Sequence, residues 1–69
     1  MNKEDLEDAI KQQPFVPVQL RLSNGAVYEV AHPDNILIRK RVSAVAVGES
    51  IHLIDMMHIN QVVPVVPQQ

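Results

Sequence analysis

Residues 18–30, VQLRLSNGAVYEV, constrain this chain more than any other stretch. Val18, Leu20 and Leu22 alternate with Gln19, Arg21 and Ser23, the period of a strand with one apolar face. Asn24-Gly25 signals a turn, and an alternating run follows. A two-residue turn there pairs Leu22 with Val27 and Leu20 with Glu29, which sets a carboxylate on the apolar face. A three-residue loop, Ser23-Asn24-Gly25, pairs Leu22 with Ala26, Leu20 with Tyr28 and Val18 with Val30, and all six share one face. A shift of one residue turns every side chain over, so the burial pattern selects the longer loop. That loop needs a left-handed residue at its last position, where Gly25 stands. Asn24 and Gly25 are thus structural turn residues.

On the N-terminal side, NKEDLEDAIKQQP reads as one short helix, about 3–12. Asn2 suits the N-cap, and the acidic residues after it suit the positive helix end. Leu6, Ala9 and Ile10 form a narrow apolar stripe, Glu7 and Lys11 an i,i+4 pair, and Pro14 stops the helix. So short a helix must dock its stripe on something. Phe15, in PFVP, is the expected anchor. After the hairpin, AHPDN breaks the second strand: His32 precedes proline, and Asp34 or Asn35 closes a turn. ILIRK, at 36–40, reads as a third strand. VSAVAVGESIHLI holds two more, meeting at Gly48-Glu49 in either of two registers. A two-residue turn aligns Ala44 and Ala46 with Leu53 and Ile51, whereas a three-residue loop aligns Val45 and Val47 with them. A short turn and a last strand around 59–63 follow. Pro64 and Pro67 limit ladder pairing, which suits an edge or a tail.

The reading is one domain, 1–69: a helix, strands over about 17–63 and a tail at 64–69. The fold class is mainly β, a short N-terminal helix followed by about five antiparallel strands. Five short, bent strands can close on themselves as a small barrel. The other arrangement is a helix packed on an open sheet.

Composition limits what such a fold can do. Sixty-nine residues without cysteine have no disulfide and no thiolate zinc site to hold them. A chain this short buries only roughly 60% of its unfolded surface. The aromatics are Phe15 and Tyr28 alone, while Val and Ile supply 17 residues, so the core is aliphatic. A small core without a staple favours self-association, and a homo-oligomer is expected, through the terminal strand with Val62, Val63, Val65 and Val66 or through the helix stripe. No apolar run reaches the length of a membrane span, and the acidic start is unlike a signal peptide. The expected setting is cytoplasmic, away from membranes.

Residues 1–12 carry Lys3 and Lys11 against Glu4, Asp5, Glu7 and Asp8, and the rest of the chain is neutral. No broad field for nucleic acid results. One local cluster remains, Arg39-Lys40-Arg41. Its plain role is to keep a sheet edge from pairing wrongly. Its functional role is contact with phosphate or an acidic partner, the acidic helix of another copy included. His32, His52 and His58 invite a metal reading, but their spacing matches no metal motif and they read as turn or surface histidines. Asp34 and Asp55 have no nucleophile beside them and read as turn formers. Met56 and Met57 fill core or interface more readily than they form an adaptable binding surface. No enzyme activity, cofactor or metal is expected.

Two resemblances bear on the fold. The order of helix and strands, with VPVQLRLSNG followed by PDNILI, resembles the first motif of the Sm-like family. Within it, the Hfq branch of bacterial RNA chaperones likewise has a short helix, a Val-Pro-Val strand start, an Asn-Gly turn and a Val-Val-Pro close, here Val62-Val63-Pro64. The resemblance implies an Sm/SH3-like small barrel. Asp34 lies two residues nearer Gly25 than in Hfq, and the segment from 39 to 50 is longer. The chain also resembles a group of short, uncharacterised bacterial proteins that share a start like IKQQPFVPVQLRLSNG, a Val-x-His-Pro-like element (here VAHPD at 30–34) and an Ile-Asp-apolar-apolar-x-Ile close (here IDMMHI at 54–59). The Hfq functional residues transfer poorly. Its Lys-His pair is Met57-His58 here, without the cation that meets phosphate. Its Asp-Gln-Phe is Asp34-Asn35-Ile36, without the aromatic that stacks on a base. Stacking and phosphate contact are the main sources of single-strand affinity. The expected function is therefore a non-enzymatic interaction or scaffold module that self-associates. Weak Hfq-like RNA binding is the alternative.

Overall fold

The structure is a computed structural model, and residues 1–65 of it are described. Helix α1 (Lys3–Ile10) precedes six strands: β1 (Val18–Leu22), β2 (Val27–Val30), β3 (Ile36–Ile38), β4 (Val42–Val47), β5 (Ser50–Asp55) and β6 (Ile59–Pro64). One-turn 3₁₀ helices, Pro33–Asn35 and Met56–His58, precede β3 and β6.

The helix forms where its caps predict. The Asp5 N–H donates to Asn2 Oδ1 at 2.8 Å. Lys11 Nζ lies 3.7 Å from Glu7 Oε2. The last helical bond runs from Lys11 N–H to the Glu7 carbonyl, so the helix ends at Ile10 rather than about 12. Leu6 and Ile10, one turn apart, are buried in the core. The stripe is therefore spent inside the chain and offers nothing to a second copy.

The first hairpin has the longer loop. Val18 pairs with Val30 and Leu20 with Tyr28. The Leu22 N–H donates to the Ala26 carbonyl at 2.9 Å, and Gly25 holds φ at 89°. Asn24 Oδ1 accepts from the Ala26 N–H at 2.9 Å, so the side chain completes the turn. The second hairpin resolves the open register the other way. Val47 pairs with Ser50, Ala46 with Ile51 and Ala44 with Leu53 across a two-residue turn. Gly48 takes φ 59° and, among the described residues, no non-glycine residue has a positive φ, the type II′ pattern with glycine at the first central position.

Six strands replace the expected five, and they do not close into a barrel. They form two antiparallel three-stranded sheets, β2-β1-β6 and β3-β4-β5. The physical reason lies in the two crossing points between sheets. At the first, Pro33 has no N–H to give to a ladder. His32 Nδ1 accepts from the Asp34 N–H at 3.2 Å, and the Asn35 N–H bonds the His32 carbonyl at 2.9 Å. At the second, Asp55 Oδ1 accepts from the Met57 N–H at 2.9 Å. Both crossings spend backbone groups on local turns, so the ladder is cut where a barrel would continue it.

The sheets pack face to face. Val18, Leu20, Val30 and Ile59 of the first meet Val45 and Ile54 of the second, with Leu6, Ile10 and Met56 filling out the core. Phe15, the expected anchor, packs half-buried against this cluster. Ser43 is fully buried, and its hydroxyl donates to Met56 Sδ at 3.0 Å. Strand β3 stops at Ile38 rather than reaching Lys40, because the Arg39 N–H closes a tight turn on the Val42 carbonyl at 3.0 Å. Pro64, expected in the tail, ends β6 opposite Val18; β6 is an edge strand, where proline is tolerated. Residues 66–69 of the expected tail, Val66 among them, lie outside the described residues.

Candidate interaction surfaces

Register decides what each sheet shows to solvent. In β4, Ser43 and Val45 point inward, so Val42, Ala44 and Ala46 point outward. Their partners carry the same face across the sheet. Leu37, Ala44 and Leu53 form one cross-strand row, Ala46 and Ile51 the next, and Val42 and Asp55 the last. Leu37 is 58% exposed, Ile51 72% and Leu53 76%. Except for Asp55, this outer face is wholly aliphatic. Single exposed apolar residues are ordinary, whereas a contiguous set is a candidate interaction surface.

The sequence-predicted cluster Arg39-Lys40-Arg41 forms the turn between β3 and β4, with all three residues exposed. Lys40 and Arg41 line a cleft of about 740 Å³ together with Lys3, Glu4, Asp55 and Met57. Arg39 does not line it. The wall is set by backbone bonds: the Met56 N–H to the Arg41 carbonyl at 2.9 Å, and the Met1 nitrogen to the Met56 carbonyl at 3.0 Å. Among the described residues, none of Lys3, Lys40 and Arg41 lies in ion-pair range of a carboxylate. Lys3 was not singled out from the sequence, because only folding brings the first helical turn to the 39–41 turn.

Asn24 and Gly25 hold the first hairpin, as their spacing predicts. The three histidines stand apart, each engaged locally. His32 caps the Pro33–Asn35 turn and lies 3.6 Å from Asp34 Oδ2. The His52 ring packs on the Tyr28 ring, centroids 4.9 Å apart. His58 Nδ1 is in hydrogen-bond contact with Ser23 Oγ at 3.2 Å, tying the first hairpin to the Met56–His58 turn. Among the described residues no three His, Cys, Asp or Glu side chains gather as metal ligands do. Asp34 and Asp55 sit in different turns. Met56 is buried and Met57 almost fully exposed, so one of the pair fills the core and the other faces solvent.

No described helix is long and apolar enough to cross a membrane. Comparison with protein-family models, with curated proteins and with solved structures finds no match.

Proposed function

We propose that this chain is a non-enzymatic interaction module that self-associates, with the outer face of β3-β4-β5 as its working surface. One observation carries the reading: Ile51 and Leu53 stand about three-quarters exposed beside Leu37 on a face with one charged residue. A cytoplasmic setting belongs to the same reading. The fold is read as Sm-like, its long second strand divided at Pro33 into β2 and β3. In support, β1 lies between β2 and β6, and β3 passes on to β4 and β5.

Light scattering over a concentration series tests it. Wild type is expected to exceed monomer mass at tens of micromolar, and Leu53→Lys to remain monomeric with unchanged circular dichroism. A monomeric wild type at high micromolar concentration would overturn the proposal.

The cleft of Lys3, Lys40 and Arg41 favours a second, weaker reading, contact with RNA phosphates. Neither aromatic provides a stacking platform, since Tyr28 is packed on His52 and Phe15 on the core. Stacking is worth roughly 1–3 kcal/mol per base, so affinity without it is low and depends steeply on salt. Labelled U-rich and A-rich oligonucleotides, titrated at two salt concentrations against wild type and the Arg39, Lys40 and Arg41 triple alanine variant, measure this. Submicromolar, salt-tolerant binding would place the RNA reading first.

A further inference from the structure

The outer face of β3-β4-β5 is shaped as well as apolar. Its central strand carries the smallest side chains, Ala44 and Ala46, and its flanking strands carry large ones. Ala44 lies between Leu37 and Leu53, and Ala46 lies beside Ile51. The result is a furrow along β4 and a ridge of Ile51 and Leu53 along β5. Ridge and furrow are one strand spacing apart, about 4.8 Å. Their members are cross-strand partners, so they stand at equal heights along the strands.

We infer that two copies of the chain stack face to face, the β5 ridge of each seated in the β4 furrow of the other. This rests on the self-association reading above and adds its geometry. A two-fold axis between the facing sheets, parallel to the strands and midway between β4 and β5, generates the pair. The rotation exchanges β4 with β5 and keeps height along the strand. It sets Leu53 over the partner's Ala44 and Ile51 over the partner's Ala46. Leu37 then lies beyond the partner's β5 edge, against the flank of the partner's Leu53. Facing sheets interdigitate at about 10 Å, and the alanines leave the room for it.

Area and charge both favour a second copy. Leu37, Val42, Ile51 and Leu53 leave on the order of 450 Å² of apolar surface, within the range of the largest patch on a typical monomer. A standard interface buries roughly 800 Å² per partner, of which about 65% is apolar in homodimers. Fully covered, the face supplies most of the apolar share of such an interface, and the rim supplies the rest. The same rotation sets Asp55 over the partner's Val42, beside the 39–41 turn of that copy, so opposite charges meet at the rim. Pairing through the free β5 edge instead would leave the aliphatic face in water.

The discriminating variant is Ala46→Leu. It adds apolar surface, so indiscriminate hydrophobic contact would hold or tighten, whereas a filled furrow excludes the ridge. Light scattering of wild type, Ala46→Leu and Ile51→Ala, with circular dichroism as the check on folding, is expected to show dissociation constants at least tenfold higher for both variants. Wild-type association with Ala46→Leu associating equally or more tightly would overturn the furrow geometry and leave self-association standing. A wild type that stays monomeric removes the reading beneath it. A second measurement needs no variant: isotope-filtered nuclear Overhauser spectra of mixed-label wild type are expected to connect Leu53 methyls to Ala44 and Ile51 methyls to Ala46 across chains. Their absence in an associated sample would also overturn the inference.

Discussion

The two sheets of this protein have the same strand number and opposite outer faces. In β2-β1-β6 the outer rows are Glu29, Gln19 and Val63, then Val27, Arg21 and Gln61. In β3-β4-β5 they are Leu37, Ala44 and Leu53, then Ala46 and Ile51. Both inner faces meet in one core, yet only the first sheet is dressed for water on its other side. A sheet covered on both faces reads as continuous apolar sequence, and a half-solvated one as alternation. VSAVAV is apolar on both parities but for Ser43, and Ile51 and Leu53 of SIHLI extend its outer face, whereas VQLRL sends Gln19 and Arg21 outward. The proposed self-association follows from that difference.

The comparison breaks most visibly at paired leucines. Leu20, fully buried in β1, is expected to cost about 2–5 kcal/mol when changed to alanine. Leu53→Ala, at a similar place in β5 but facing outward, is expected to cost the monomer less than about 0.5 kcal/mol. Urea denaturation at a concentration low enough to keep both monomeric compares them. Equal losses would mean that Leu53 is covered within its own chain.

The buried hydroxyl of the second sheet gives a smaller effect. Sulfur is a weak acceptor, and among the described residues Met56 Sδ is the acceptor that Ser43 Oγ has. Met56→Leu leaves that hydroxyl without an acceptor and is expected to cost about 1–3 kcal/mol. Ser43→Ala is expected to change stability by less than about 1 kcal/mol, and the double variant to recover most of the Met56→Leu loss. Additive losses in the denaturation cycle would show that packing alone joins the two residues.

The smallest effect separates the hairpins. A Cβ built at Gly25 or Gly48 meets nothing within 4 Å, so substitution there acts through the backbone. Gly25→Val at φ 89° is expected to cost somewhat more than about 1 kcal/mol. Gly48→Val is expected to cost a similar amount, without disturbing resonances of β1 and β2. A Gly25→Val chain as stable as wild type would remove the argument for the three-residue loop.

Much of this was legible in residue order. The Asn2 cap, the Glu7–Lys11 pair and the first hairpin rest on neighbours close in sequence, and the hairpin had only one register that kept Glu29 off the apolar face. The second hairpin had no such discriminator. Ala44, Val45, Ala46 and Val47 are all apolar, so either register buries apolar residues, and parity is silent. The basic cluster was visible at 39–41, but its division was not. Folding joins Lys40 and Arg41 to Lys3 from the helix and leaves Arg39 outside their cleft.

By itself, the sequence determined the local elements: a capped helix, strands with their turn residues, an aliphatic core and a basic turn. Those depend on backbone preference and on period, which act over a few residues. Tertiary structure alone decided that the strands divide into two sheets, that the Gly48 turn is short and that Leu37, Ile51 and Leu53 share an uncovered face. Each of these depends on which distant backbone groups pair, as when Pro33 ends one ladder and the Met56 N–H reaches the Arg41 carbonyl. Pairing between residues far apart in sequence is set by the burial of the whole chain, and no short window of residues contains it.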